Sequence, residues 1–216
     1  MRYKAVVFDL DGTLLDTLED LHRATNHGLA ACGLPPRTID EVRSFVGNGY
    51  RQLARLASPA GTPDEVQEEV LAHFNEFYLA HDQDHTAPYP GIRKLLDDLA
   101  DAGLHLAVVS NKGDAAVQDL MAHYFPGTFE AVAGERADVR RKPAPDTVHA
   151  VMAQMGVSTD EVVYVGDSEV DVLTAANVGC DCIIVTWGFR NRDYLAEQGA
   201  RVFADTTGEL ARLLEA

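Results

Sequence analysis

The spacing of apolar positions changes period along the chain, and each change marks a different kind of element. Residues 5–8, Ala-Val-Val-Phe, form an unbroken apolar run, which suits a strand buried on both faces of a parallel sheet. The pattern then turns helical and stays so for about seventy residues. Leu18, Leu21, Thr25, Leu29 and Cys32 lie on one helical stripe, closed by Gly33 and Pro35-Pro36. Thr38 with Glu41 three residues on is a capping-box signature for a helix through Phe45. Gly47-Asn48-Gly49 breaks the chain before a helix carrying Leu53 and Leu56, and the next opens near Thr62-Pro63 with Val66, Val70, Phe74, Phe77 and Tyr78. No strand pattern intervenes, so residues 15–88 read as an all-α insertion.

From Gly91 a strand–helix alternation resumes. Ile92, Leu95, Leu96 and Leu99 mark a helix closed by Gly103, followed by a strand at 105–109. A helix with Val117, Leu120 and Met121 leads to a short strand at 129–133. A helix at 147–155 precedes a strand at 162–165, and a helix at 170–177 precedes a strand at 182–186. An edge strand at 201–204 and a last helix complete the prediction. Alternating strands and helices imply a parallel sheet with right-handed crossovers.

Size and charge narrow the class. The 216 residues and 46% hydrophobic content support a sizeable core, either one domain or one domain with an insertion. A net charge of −16 argues against a nucleic-acid or anionic-membrane partner. Cys32, Cys180 and Cys182 form no C-x-x-C pair and fit a reducing compartment. With no apolar run of membrane length and no secretory signal pattern, a soluble, cytoplasmic protein is expected.

The polar clusters fall at the ends of predicted strands, where open parallel sheets bind ligands. Asp9-Leu10-Asp11-Gly12-Thr13 follows the first strand. Side chains alternate along a strand, so Asp9 and Asp11 project to one side, at a cost unless a cation or shared proton relieves them. The residues alone allow an acidic turn, a calcium loop, or a nucleophilic carboxylate with a metal and a second carboxylate as acid and base. The calcium loop fails on spacing, since Gly12 in the glycine position puts Val7 and Leu18 where ligands belong.

Three further clusters carry the same ambiguity. Ser110 is expected where a strand opens into a helix, as an N-cap or as part of an anion site. Lys142, one of four lysines, stands in Arg140-Arg141-Lys142-Pro143-Ala144-Pro145. That is a solvated basic patch, or a lysine oriented by two stiff prolines. Asp167 and Asp171, four apart at a helix start after Gly166, suit the helix dipole or hard-oxygen ligation of magnesium.

Residues 4–17, K-A-V-V-F-D-L-D-G-T-L-L-D-T, resemble the first motif of the haloacid dehalogenase-like phosphohydrolases. Ser110, the K-P-x-P at Lys142 and the run Gly166 to Asp171 are similar to the second, third and fourth. The resemblance implies an α/β fold: a Rossmann-like, doubly wound parallel sheet core of residues 1–14 and 89–216, with an all-α helical cap domain, residues 15–88, inserted after the first strand. It implies two-step phosphoryl transfer, with Asp9 forming an aspartyl-phosphate and Asp11 acting as acid and then base, oriented by Thr13. Ser110, the Asn111 backbone and Lys142 would bind the phosphoryl oxygens. Mg2+ would be held by Asp9, the Asp11 backbone carbonyl and Asp167, with Asp171 as a further ligand or directly behind. Lys112 would belong to the same site or to solvent.

Chemistry also selects a branch. Dehalogenases do not need the acid at Asp11, and phosphonate-cleaving relatives need a cap lysine, absent between Lys4 and Lys94. Phosphatases and phosphomutases remain. Ser44-Phe45-Val46-Gly47-Asn48-Gly49, Ser110-Asn111-Lys112 and Thr186-Trp187-Gly188 look like the phosphoglycolate-phosphatase-like group. The expected substrate is therefore a small phosphorylated metabolite, 2-phosphoglycolate first. The alternatives are pyrophosphate, a nucleotide or sugar phosphate, a β-phosphoglucomutase-like reaction, or a non-catalytic regulatory relative. Asn48 and Arg51 are the candidates to read the substrate, and a monomer or homodimer is expected. His81 and His85 read as a solvated polar segment, and Trp187 as a core residue.

Overall fold

The apolar run of residues 5–8 forms the strand on which both faces of the sheet are built. The structure is a computed structural model and describes residues 2–215. In chain order the first elements are β1 (Ala5–Phe8), β2 (Leu15–Asp16), α1 (Leu18–Ala31), α2 (Ile39–Phe45), α3 (Gly49–Ala57), α4 (Asp64–His81) and β3 (Ala87–Pro88). There follow α5 (Ile92–Asp101), β4 (His105–Gly113), α6 (Asp114–Tyr124), β5 (Ala131–Glu135), α7 (Asp146–Met155) and β6 (Val162–Gly166). The last are α8 (Glu169–Val178), β7 (Asp181–Val185), α9 (Arg192–Glu197), β8 (Phe203–Ala204) and α10 (Thr207–Glu215). Two compact units result: one runs through Leu15 and resumes at Pro88, and the other is Asp16–Ala87.

In the first unit six strands form one sheet in the order β5-β4-β1-β6-β7-β8, each neighbouring pair parallel. Residues of β1 pair with 105–108 of β4 on one side and 162–165 of β6 on the other. Alternation divides the strands between two cores. Val6, Phe8, Leu106, Val108, Val163 and Val165 pack with residues of α5, α6 and α10. Ala5, Val7, Ala107, Val109 and Tyr164 pack with residues of α7 and α8. With both faces covered, every side chain of β1 is removed from water, which is why the strand reads as a continuous apolar run. At about 1.5–3 kcal/mol for each large apolar side chain buried, the central strand is firmly held, and its carboxyl end is a rigid mount.

The second unit is helical. Leu29 of α1, Ala54 and Ala57 of α3 and Val70 of α4 form its small core. A Cβ at Gly28 would stand 2.6 Å from the Val70 carbonyl oxygen, so α1 and α4 approach this closely only with glycine there. The buried Asp20 carboxylate accepts from the Thr86 N–H and hydroxyl, both at 2.8 Å, tying α1 to the segment after α4. The predicted capping box at Thr38 is present, with Glu41.

Two local expectations change. The strand expected at 105–109 continues to Gly113, and the one expected at 129–133 runs from Ala131 to Glu135. The two-residue strands β2 and β3 form a separate small sheet, too short to leave a periodic signal.

Candidate active site

The turn after β1 closes on itself. The N–H groups of Leu14 and Leu15 both donate to the Leu10 carbonyl at 3.0 Å, and Gly12 N–H donates to Leu15 O at 2.9 Å. Gly12 has φ of 85°, and a Cβ there would stand 2.4 Å from Asp167 Oδ2. Both the turn and the close approach of Asp167 therefore require glycine. The Thr13 hydroxyl, expected to orient Asp11, donates instead to Asp167 Oδ1 at 3.3 Å. Trp187, expected in the core, packs half-buried against the core cluster that holds Phe8 and Leu14, and its indole N–H donates to the Thr13 carbonyl at 3.0 Å. The indole pins the turn because its one polar atom needs a partner when buried.

Lys142 enters from the loop before α7 and is almost wholly buried. Its ammonium contacts Asp9 Oδ1 at 2.8 Å, Asp171 Oδ1 at 2.9 Å and the Tyr164 hydroxyl oxygen at 2.9 Å. Three donors thus meet three acceptors. Tyr164, on β6, in turn donates to Asp171 Oδ1 at 3.1 Å. The other oxygen of Asp171 accepts from the Ser168 hydroxyl at 2.6 Å, Ser168 N–H at 3.0 Å and Asp167 N–H at 3.2 Å. Asp171, expected among the metal-site residues, has both oxygens engaged by groups of the protein and orients Lys142.

Crowding of carboxylates sets the electrostatics. Burial, and then the Asp171 charge, push Asp9 up to about 7 against the opposing pull of Lys142. Burial, then Asp171 and Asp9, push Asp167 well above the carboxylate range, although the Phe189 N–H at 2.7 Å pulls it down. Burial disfavours the Lys142 ammonium, but Asp171 and Asp9 more than offset it and hold the group charged. Tyr164 is raised well above the usual phenol value by burial and by the same two carboxylates.

Ser110 is not where the sequence placed it. The strand β4 carries on through Ser110, Asn111 and Lys112, and α6 opens only at Asp114, so no helix N-terminus points from Ser110. The pairing of β4 with β5 shifts register between Val109 and Gly113, so the segment is anchored to β5 at its two ends. Ser110 Oγ accepts from Lys112 N–H at 3.1 Å, and the Asn111 side-chain amide donates to the Lys142 carbonyl at 3.0 Å. Lys112, left between site and solvent by the sequence, is buried, with its ammonium 2.9 Å from Asp11 Oδ1.

The donor set fits a divalent cation. Asp9, Asp167 and Asp171 bring carboxylate oxygens within 4.8 Å of one another; with Asp171 committed to Lys142 and its neighbours, Asp9 and Asp167 are the hard-oxygen donors of the kind magnesium selects. Four carboxylates, Asp9, Asp11, Asp167 and Asp171, face two ammonium groups, Lys112 and Lys142, so with all four ionised two negative charges are left for a cation to balance. A Cβ at Gly188 would stand 2.4 Å from Asp167 Oδ2, so backbone walls this carboxylate in.

Asn48 and Arg51 lie in the second unit. Asn48 precedes α3 as its N-cap residue, and Arg51 pairs with Glu68 on an exposed surface. His81 pairs with Asp84 at 2.9 Å and stacks on Phe77. Among the described residues, no helix is long and apolar enough to cross a membrane.

A buried strand-end carboxylate held by a lysine, with a second carboxylate two residues on and an aspartate cluster beside it, is an arrangement suited to phosphoryl transfer, and comparison with known proteins gives the family. The family model described as haloacid dehalogenase-like hydrolase matches residues 6–185. Phosphoglycolate phosphatase 1 of Pseudomonas aeruginosa is 34% identical over 96% of this chain and 78% of its own. Phosphoglycolate phosphatase of Vibrio parahaemolyticus is 32% identical over 98% and 96%. The crystal structure of a candidate phosphoglycolate phosphatase from Lactobacillus delbrueckii subsp. bulgaricus superposes with a TM-score of 0.95 at 37% identity, covering 99% of each chain. The chain belongs to the haloacid dehalogenase-like hydrolases. It is a phosphoric monoester hydrolase whose substrate is a small phosphorylated molecule.

Proposed function

We propose that this enzyme hydrolyses 2-phosphoglycolate, with magnesium, through an aspartyl-phosphate on Asp9. The observation that carries the reading is the separation of two neighbouring carboxylates by two cations. Lys142 holds Asp9 at 2.8 Å, and Lys112 holds Asp11 at 2.9 Å. One carboxylate can therefore attack while the other handles protons. The relatives named phosphoglycolate phosphatase support the choice of substrate.

In the first step an Asp9 carboxylate oxygen attacks phosphorus, the ester P–O bond breaks, and Asp11 gives its proton to the departing oxygen. In the second, Asp11 takes a proton from water as that water attacks phosphorus, and the Asp9–phosphorus bond breaks to release phosphate. The Ser110 hydroxyl and the Asn111 N–H bind the phosphoryl oxygens. Lys142 steadies the nucleophile and counters the charge that returns to it when the aspartyl-phosphate breaks. Asp171 and Tyr164 keep the lysine in place. Asp9, Asp167 and the Asp11 carbonyl would hold the magnesium, which when bound supplies the positive charge that lets an anionic ester approach an anionic nucleophile. Asn48 and Arg51 complete the proposal as groups that read the organic part of the ester.

The test is phosphate release from 2-phosphoglycolate with magnesium, beside pyrophosphate and a panel of sugar and nucleotide phosphates, with Asp9→Asn as control. Release favouring 2-phosphoglycolate and abolished in the variant is expected. Preference for another ester, lost in the same variant, would keep the chemistry and replace the substrate.

A further inference from the structure

Among the described residues, Lys112 and Lys142 are the only cations in the buried set. They are differently employed. Lys142 has its three donors on Asp9, Asp171 and Tyr164, so its geometry serves the nucleophile. Lys112 reaches the acid–base carboxylate, with its side chain 1% exposed and its ammonium 2.9 Å from Asp11 Oδ1. Its own backbone N–H is fixed by Ser110 Oγ at 3.1 Å, so the stem leaves β4 at a set place. The ammonium is thus held out of water, one hydrogen bond from the carboxylate assigned to the leaving oxygen. The position is useful if the ammonium has a second partner once substrate is bound.

The geometry points to Lys112 as the group that recognises a second anion on the leaving group. This rests on the proposed role of Asp11 in protonating the leaving oxygen. If Asp11 reaches that oxygen, the ammonium one hydrogen bond further lies next to the leaving group. In 2-phosphoglycolate the carboxylate carbon is two bonds from the ester oxygen, and in pyrophosphate the leaving group is itself a phosphate. Either anion can draw Lys112 from Asp11. In that exchange the ammonium trades the Asp11 carboxylate for the anion of the substrate. A neutral leaving group leaves the Lys112–Asp11 pair intact. The substrate class is therefore phosphate esters or anhydrides with an anionic group next to the departing oxygen. Arg51, exposed and paired with Glu68, is the competing candidate for the same anion.

The experiment compares kcat/KM for 2-phosphoglycolate and pyrophosphate with that for 2-hydroxyethyl phosphate, which keeps the two-carbon skeleton and replaces the carboxylate with a hydroxymethyl group. It is run on the magnesium-loaded full chain and its Lys112→Met, Lys112→Gln and Lys112→Arg variants, with Arg51→Ala alongside. A charged hydrogen bond removed from the substrate predicts that the anionic-to-neutral ratio falls by about 10–100-fold in the Met and Gln variants, mostly through KM, and is partly kept in Arg. Binding of 2-phosphoglycolate to Asp9→Asn with and without Lys112→Met, by calorimetry, should show the same loss. The inference is overturned if both ester classes fall by one factor, which would make Lys112 only a support for Asp11. It is overturned equally if the ratio collapses in Arg51→Ala and not in the Lys112 variants. Wild-type enzyme that favours 2-hydroxyethyl phosphate would remove the inference and leave the aspartyl-phosphate chemistry standing. A wild type inert toward all three would remove the proposed reaction itself.

Discussion

The carboxylate of Asp171 and the ammonium of Lys142 are 2.9 Å apart, and neither side chain reaches solvent to more than 3%. The pair lies behind Asp9, so it positions the nucleophile's cation and does not meet water. A buried pair broken by removal of one partner leaves an uncompensated charge, typically a loss of about 3–5 kcal/mol. Asp171→Ala should lower unfolding free energy by that order in urea melts, with a smaller loss for Asp171→Asn.

Tyr164 is the hinge of the same network, accepting from Lys142 and donating to Asp171. Phenylalanine keeps the ring packed and removes both bonds. Tyr164→Phe is expected to cost about 1–3 kcal/mol of stability and to lower kcat with less effect on KM, since it loosens Lys142 and touches no substrate atom. Urea melts and steady-state kinetics on one preparation check both parts. A rise in KM at unchanged kcat, or no loss of stability, would count against the network.

Asp167 and Asp171 should separate in metal dependence. Asp167 accepts one hydrogen bond at each oxygen, from the Thr13 hydroxyl and the Phe189 N–H, whereas Asp171 accepts from Lys142 and Tyr164 at one oxygen and from three donors at the other. Asp167→Asn is expected to raise the magnesium concentration for half-maximal activity by at least about tenfold, and more than Asp171→Asn does. Magnesium titration of both variants checks this.

Acidity of Asp9 predicts how the metal-free protein responds to pH. Its carboxyl is raised from 3.8 to about 7 by burial and by Asp171, so the folded protein binds that proton more tightly than the unfolded chain. The stabilisation is complete below the unfolded value of 3.8 and is lost as pH rises through about 7. In chelator, the melting temperature of the wild type should therefore fall relative to Asp9→Asn between pH 5 and pH 8. Magnesium, which favours the ionised carboxylate, should flatten that difference. A difference independent of pH in chelator would contradict the assignment.

Much of this was legible along the chain, because local chemistry wrote it. The apolar run of residues 5–8, the helix stripe at Leu18 to Cys32 and the capping box at Thr38 are short-range patterns. The alternation after Gly91 follows from burial on both faces of a parallel sheet. The run Asp9 to Thr13 showed two carboxylates on one side and a glycine where the chain must turn, and Gly12 is needed there for both the turn and the approach of Asp167. The family likeness was carried by the same residues.

What the tertiary structure decided are the pairings between groups far apart in sequence. Tyr164 looked like one more apolar strand residue, since nothing nearby betrays that its hydroxyl meets Lys142, 22 positions away. The Thr13 hydroxyl turned to Asp167 and not to Asp11 because β1 and β6 are neighbours in the sheet. Ser110 stayed extended although the pairing with β5 is interrupted after Val109, because it resumes at Gly113 and holds both ends of the segment, a tertiary contact that outweighs the local helix signal. Lys112 could be assigned to Asp11 only once β4 lay beside β1. Periodicity records which side of an element is buried, and strand order decides which buried charges meet.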